Sequence, residues 1–205
     1  MQSVNDKVFA RIRAKGRRSS FTNKDFLDLG SRGSVDMALT ALAKEGRIRR
    51  VRRGLYDYPD FNAELGGRLG PDVDRVVQAW ARRLGVRIQP AGAAAANMLG
   101  LSTQVPAHMI YLTDGRSRTL RVGGLTVRFK RTTPGRFQKG HGVTSLVATA
   151  LRDLGPRGVD DAAIARLRGR LSEKHRNQLL KDAQHLEGWI YAIARKVAQP
   201  ETVSR

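Results

Sequence analysis

Residues 45–59, EGRIRRVRRGLYDYP, place five arginines, Arg47, Arg49, Arg50, Arg52 and Arg53, within seven positions. Such a segment cannot be buried whole, because each unpaired guanidinium would carry a desolvation cost of several kcal/mol or more. It must lie at a surface, and its like charges must gain something there. RIRRVRR reads as strand, Gly54 permits a turn, LYDY returns, and Pro59 ends the pairing, which together predict a β-hairpin. Ile48 and Val51 stand an odd number of residues apart, so strict alternation fails. That spacing predicts a bulge, a strong twist or an arginine turned partly inward.

Three short helical patterns precede the hairpin. Val4, Val8, Phe9 and Ile12 recur at helical spacing and the pattern stops at Gly16. Thr22 stands before NKDFLDLG with Asp25 three residues on, an acidic form of the capping box, and Gly30 ends that second element. Ser34 is expected to cap a third helix, VDMALTALAKEG, whose Val35, Ala38, Leu39 and Leu42 form one apolar stripe. Three helices followed by a basic hairpin is the element order of a winged helix-turn-helix, in which the third helix enters the DNA major groove and the hairpin lies along the backbone or minor groove.

The charge of the whole chain agrees with an anionic partner. Its 38 Lys and Arg against 18 Asp and Glu give a formal charge of +20, which speaks to nucleic acid or an acidic surface and not to fold. The excess is not a tail: residues 1–60 hold 14 basic and 7 acidic side chains, a net +7, and the remainder carries +13. Arginine supplies 29 of the cations, a bias that a GC-rich genome would also produce.

On these grounds double-stranded DNA is the expected partner, with Arg17, Arg18, Ser31, Arg32, Ser34, Arg47, Arg49, Arg50, Arg52 and Arg53 as contact residues. Arg32 suits bidentate contact to guanine, and the wing arginines and Arg17 and Arg18 suit phosphates. Ser34 serves either as helix cap or as phosphate ligand, Asp36 is expected to help the helix start, and Met37 flanks the set. Tyr56 and Tyr58 are expected to pack the wing on the first helix.

The fold class expected is mainly α with small β (α+β): a winged helix over 1–60, a linker over 61–70, and an α+β domain over 71–200 ending in helices. DVDRVVQAWARRLG opens the second domain, AGAAAANMLG is a small-residue helix, and RTLRVGGLTVRFKR is a hairpin with Arg121, Arg128 and Lys130 outward. EKHRNQLLKDAQHLEGWIYAIARKVA is the longest helical pattern, interrupted by Gly188. Its Leu179, Leu186, Ile190 and Ile193 suit either a dimer contact or the protein's own core.

No enzymatic constellation emerges. Cysteine is absent, and His108, His141, His175 and His185 include no pair at metal-binding spacing. GRFQKGHG, at 135–142, lacks the Lys-Ser/Thr pair of a phosphate loop and reads as a basic loop. The carboxylate pairs Asp72/Asp74 and Asp160/Asp161 stand at helix starts, where they complement the dipole. No catalytic residue, cofactor or metal is expected. MQSVNDKVFARIRAKGRRSS holds no apolar signal core, and no window nears the roughly 20 apolar residues of a membrane span, so a cytoplasmic protein with no membrane association is expected.

Two segments resemble a known family. VDMALTALAKEGRIRRVRRGLYDYP and IQPAGAAAANMLGLSTQVPAHMIYLTDGRSRTLRVGG are similar to AbiEi-like antitoxins of type IV toxin–antitoxin systems and to close relatives of unassigned function, over roughly residues 1–155. The matching features are Gly46-x-Ile48-x-Arg50 with Gly54-Leu55-Tyr56, and 100–106 (GLSTQVP) followed by Thr113-x-Gly115. The resemblance implies a winged helix that represses the antitoxin's own operon and a C-terminal part that opposes a nucleotidyltransferase toxin; whether the promoter target is an inverted repeat is left open. It transfers no catalytic residue. A protein-interaction module that neutralises such a toxin, with DNA binding secondary, is the alternative; oligomeric state is left open.

Overall fold

The structure, a computed structural model, describes residues 3–64, 66–102, 108–133 and 142–199. Thr103, Gln104, Val105 and Pro106 of the matched segment, and His141 with the rest of the 135–141 loop, lie outside the described residues. The protein is α+β and divides into two compact units, one comprising Met1–Arg87 with Arg121–Leu125 and the other Ile88–Leu120 with Thr126–Arg205.

In the first unit, α1 (Val4–Lys15) begins at a capping box in which Ser3 Oγ accepts from the Asp6 N–H at 3.2 Å and the Asp6 carboxylate accepts from the Ser3 N–H at 3.2 Å. Strand β1 (Ser20–Thr22) follows, then a 3-10 turn, Asn23–Phe26, where the Thr22–Asp25 box is present. The second helix is therefore a single tight turn. Helix α2 (Arg32–Lys44) carries the third pattern, but its cap is Ser31 and not Ser34: Ser31 Oγ accepts from the Ser34 N–H at 3.2 Å, and Ser34 Oγ donates back to the Ser31 carbonyl at 2.8 Å. Ser-x-x-Ser allows either hydroxyl to cap, and the extended backbone at Ser31 decides it.

Strands β2 (Arg49–Arg52) and β3 (Leu55–Asp57) form the basic hairpin, and β1 closes a three-stranded antiparallel sheet of order β1-β3-β2. The register pairs Arg49 with Asp57 and Arg50 with Tyr56, then shifts so that Arg52 opposes Leu55. Val51 is the extra residue of that irregularity. Val8 and Ile12 of α1, Phe21 and Phe26, Val35, Leu39 and Leu42 of α2, and Ile48 make the core, all fully buried. Each contributes roughly 1.5–3 kcal/mol by leaving water.

The stretch expected to be a linker pairs with itself, as β4 (Phe61–Asn62) against β5 (Gly67–Arg68). Helix α3 (Val73–Leu84), assigned from sequence to the second domain, packs on β1 and β3. The first compact unit accordingly includes α3 and runs to Arg87 before it takes in Arg121–Leu125. Polar ties match this packing: Arg82 lies 3.8 Å from Asp25, Arg83 Nη1 donates to the Arg53 carbonyl at 2.9 Å, and Lys24 Nζ donates to the Arg83 carbonyl at 2.8 Å.

A mixed sheet of order β6-β7-β9-β8 is built from β6 (Ile88–Pro90), β7 (His108–Thr113), β8 (Arg118–Val122) and β9 (Leu125–Arg131), with β7 parallel to β9; all but Arg121, Val122 and Leu125 belong to the second unit. Helices α4 (Gly92–Met98), α5 (Val143–Leu154), α6 (Asp161–Arg170), α7 (Glu173–Ala183) and α8 (Gly188–Ala198) surround a core that includes Ala95, Val147, Leu151, Leu167, Leu179 and Val197. The long helical pattern is thus two helices, and the break precedes Gly188. Tight turns at His185 and Leu186 end α7, and Glu187 stands at the start of α8. Leu179, Ile190 and Ile193 are buried in this unit's own core, with Leu186 packed against it, so they are not an exposed dimer stripe.

Candidate nucleic-acid interface

Helix α2 is amphipathic, and its apolar stripe faces α1 and the core. The opposite face carries Arg32, Asp36, Met37, Thr40 and Lys44, all exposed. Met37 is 70% exposed. It lies in a shallow open depression with Asp36, Thr40, Ala41 and Lys44. Arg32 extends into solvent with its side chain 79% exposed, 3.9 Å from Asp36. Asp36 lies beyond the first helical turn and does not serve the helix start. It accepts instead from Asn23 Nδ2 at 2.8 Å, tying the 3-10 turn to α2.

The arginines of the hairpin divide into two groups. Arg50, Arg52 and Arg53 are exposed, and among the described residues their guanidiniums have no carboxylate partner. Arg49 turns inward: its Nε donates to Asp57 Oδ1 at 2.9 Å, its Nη2 bonds Asp57 Oδ2, and its Nη1 donates to the Leu69 carbonyl at 2.9 Å. Arg49 is thus engaged by the protein itself, because Asp57 on β3 is buried and needs a counter-charge.

The other candidate arginines also have protein partners. Arg17 lies over the Tyr58 ring at 4.2 Å and donates to the Pro59 carbonyl at 2.9 Å. Arg18 has φ +64 and lies 3.5 Å from Asp72. Arg47 covers the Phe9 ring at 3.5 Å and stands 3.4 Å from Glu45. Phe9 and Tyr58 meet edge to face at 6.1 Å, so Tyr58 packs the end of the hairpin on α1. Ser31 and Ser34 are engaged at the α2 start. Arg17, Arg18 and Arg47 stay exposed while engaged with these groups, and Arg32 on the outer face of α2, with Arg50, Arg52 and Arg53, is exposed as well.

Arg11 of α1 donates to both oxygens of Asp28, at 2.6 and 2.7 Å. That bond holds the Asp28 carboxyl below its ordinary range and raises Arg11. Among the described residues no group of His, Asp and Glu could hold a metal ion, and no helix is long and apolar enough to cross a membrane. Asp72 and Asp160 cap α3 and α6, accepting from the N–H groups of Arg75 and Ala163.

These features define an α+β protein whose first unit carries a basic hairpin beside a helix with an exposed polar face. The chain matches the Family of unknown function (DUF6088) over residues 7–179 and belongs to that family. Among solved structures it is similar to the crystal structure of RV2827C protein from Mycobacterium tuberculosis, at 14% identity and a TM-score of 0.43, over 93% of this chain and 74% of that one. None of the curated proteins compared with it matches.

Proposed function

We propose that the first unit is a winged helix-turn-helix and that the protein is a sequence-specific, double-stranded-DNA-binding transcriptional regulator, a binder and not an enzyme. The carrying observation is the set of three exposed wing guanidiniums, Arg50, Arg52 and Arg53, in a unit where other arginines have found protein partners. Phosphates offset the mutual repulsion that the fold otherwise leaves in place. In this reading α1, the 3-10 turn and α2 are the three helices and β1-β3-β2 the sheet, with β2–β3 the wing. Helix α2 enters the major groove with Arg32, Met37, Thr40 and Lys44 forward, and the wing arginines follow the backbone.

Its own promoter is the first DNA to test, since the AbiEi-like resemblance implies autorepression. Binding to that fragment and to a scrambled fragment is compared at several salt concentrations, with the wild-type protein and with Arg50/Arg52/Arg53→Gln. The proposal expects preference for the promoter and loss of affinity in the variant. Equal affinity for both fragments, unaltered in the variant, overturns it.

A further inference from the structure

Three arginines of the first unit converge away from the exposed wing set. Arg17 from the loop after α1, Arg47 from the approach to β2, and Arg68 from β5 line a pocket of about 220 Å³ together with Gly46, Pro59, Asp60 and Phe61. The partners that fix them are mostly neutral. Arg17 donates to the Pro59 carbonyl and covers Tyr58, Arg68 Nη2 donates to the Gly46 carbonyl at 2.9 Å, and Arg47 covers Phe9. Glu45 reaches Arg47 only at 3.4 Å from a half-exposed position. Carbonyls and rings orient a guanidinium without cancelling its charge, so with three Arg against Asp60 in the lining and Glu45 beside Arg47 a positive surplus of one remains. A phosphate monoester carries about −1.5 to −2 at pH 7.

Phe61 adds a second requirement. It sits on the two-residue strand β4, the residue 63% exposed, at the same pocket. An exposed aromatic face beside an arginine cluster is the pairing that stacks a base while phosphate is held. The cavity lies below the roughly 300 Å³ at which small-molecule pockets usually begin, so it accommodates the phosphate and sugar with the base outside on Phe61.

We propose that this pocket binds a free mononucleotide, its phosphate on Arg17, Arg47 and Arg68 and its base on Phe61. A nucleic-acid backbone offers the same phosphate chemistry, but it presents charges in a line, whereas these guanidiniums come from three chain segments to one concavity. The site stands independently of DNA binding by α2 and the wing.

Isothermal titration of the full chain with AMP, adenosine and inorganic phosphate tests it. AMP is expected to bind saturably and adenosine not at all. Arg68→Gln should weaken AMP about tenfold, the scale of one lost charge-assisted hydrogen bond. Phe61→Ala removes an exposed ring, leaves folding intact, and should weaken AMP while leaving inorganic phosphate unchanged. Arg52→Gln, the same loss of charge at the wing, should change neither. Absence of saturable AMP binding, or equal weakening by Arg52→Gln and Arg68→Gln, overturns the proposal. If AMP fails to bind while Arg68→Gln lowers the salt dependence of duplex binding, the phosphate source is nucleic acid and the mononucleotide site is wrong.

Discussion

Arg49 and Asp57 oppose each other across β2 and β3, and the Arg49 guanidinium grips the Asp57 carboxylate through Nε and Nη2 while Asp57 is only 1% exposed. This pair separates one arginine of the run from its neighbours. Arg50 and Arg52, one and three positions on, remain in solvent. One structural charge and two surface charges thus share the four residues of one strand.

Removing Arg49 should be costly in a way that removing Arg52 is not. Arg49→Met leaves the Asp57 carboxylate buried without its partner and is expected to lower stability by about 3 kcal/mol, the low end for such pairs because Arg49 is still partly exposed. Arg52→Gln should stay within about 0.5 kcal/mol of wild type. Urea unfolding of both variants measures the difference, and equal stabilities would show that the pair is not holding the hairpin.

The exposed wing set should appear in the salt dependence of DNA affinity. Each phosphate contact contributes a slope of about −0.9 in log K against log salt, so Arg50/Arg52/Arg53→Gln should flatten that slope by about 2.7. Arg49→Met, measured where it remains folded, should leave the slope unchanged. Fluorescence anisotropy across a salt series distinguishes the two.

Base readout by α2 should respond differently. Arg32→Ala is expected to cost about 1–3 kcal/mol on the preferred fragment and to relax selectivity at one base position, with little change in salt slope beyond a single contact. Competition among fragments carrying single base changes is the measurement. A uniform loss over all fragments would place Arg32 on phosphate instead.

Asn23 should matter to the placement of α2. It is buried, and its side-chain amide donates to Asp36. Asn23→Ala is expected to destabilise by about 1–1.5 kcal/mol, toward the low end for a bond to a charged acceptor because Asp36 is half exposed. Hydrogen exchange should quicken at the first turns of α2, and an unchanged exchange pattern would remove the tie from the account.

In the second unit, Arg152 donates to both oxygens of Glu187 at 2.7 Å, and this bond, aided by backbone donation, brings the Glu187 carboxyl down from 4.5 to about 2. The pair's contribution is therefore complete above about pH 4.5 and is lost as pH falls toward 2. Both side chains are substantially solvated, so the effect should be below about 1 kcal/mol. Melting temperatures between pH 6 and 2 should fall less steeply for Glu187→Gln than for wild type. Identical slopes would mean the pair contributes nothing measurable.

Much of the local structure was legible in the chain itself. The apolar spacing of Val8 and Ile12 located α1, Thr22 and Asp25 announced the capped turn, Gly54 located the hairpin reversal, and the odd interval from Ile48 to Val51 announced the irregularity in β2. These features depend on caps, turns and periodicity within a few residues, which is the range over which backbone chemistry acts. The cap of α2 reads as Ser34 in the sequence and falls at Ser31, because each offers a hydroxyl to the same turn and only the tertiary path fixes which backbone is extended.

What the tertiary structure decided depends on partners brought from far along the chain. Leu69 offers its carbonyl to Arg49 from twenty residues away, and Asp57 is buried only once β1 and β2 flank β3. Helix α3 joins the first unit because its side chains meet β1 and β3, although its sequence alone fits either unit. Arg17, Arg47 and Arg68 converge because β4 and β5 fold back where a linker was expected. Composition supplies the charge, but packing alone determines which guanidiniums are neutralised, which are held by neutral groups, and which are left for an anion.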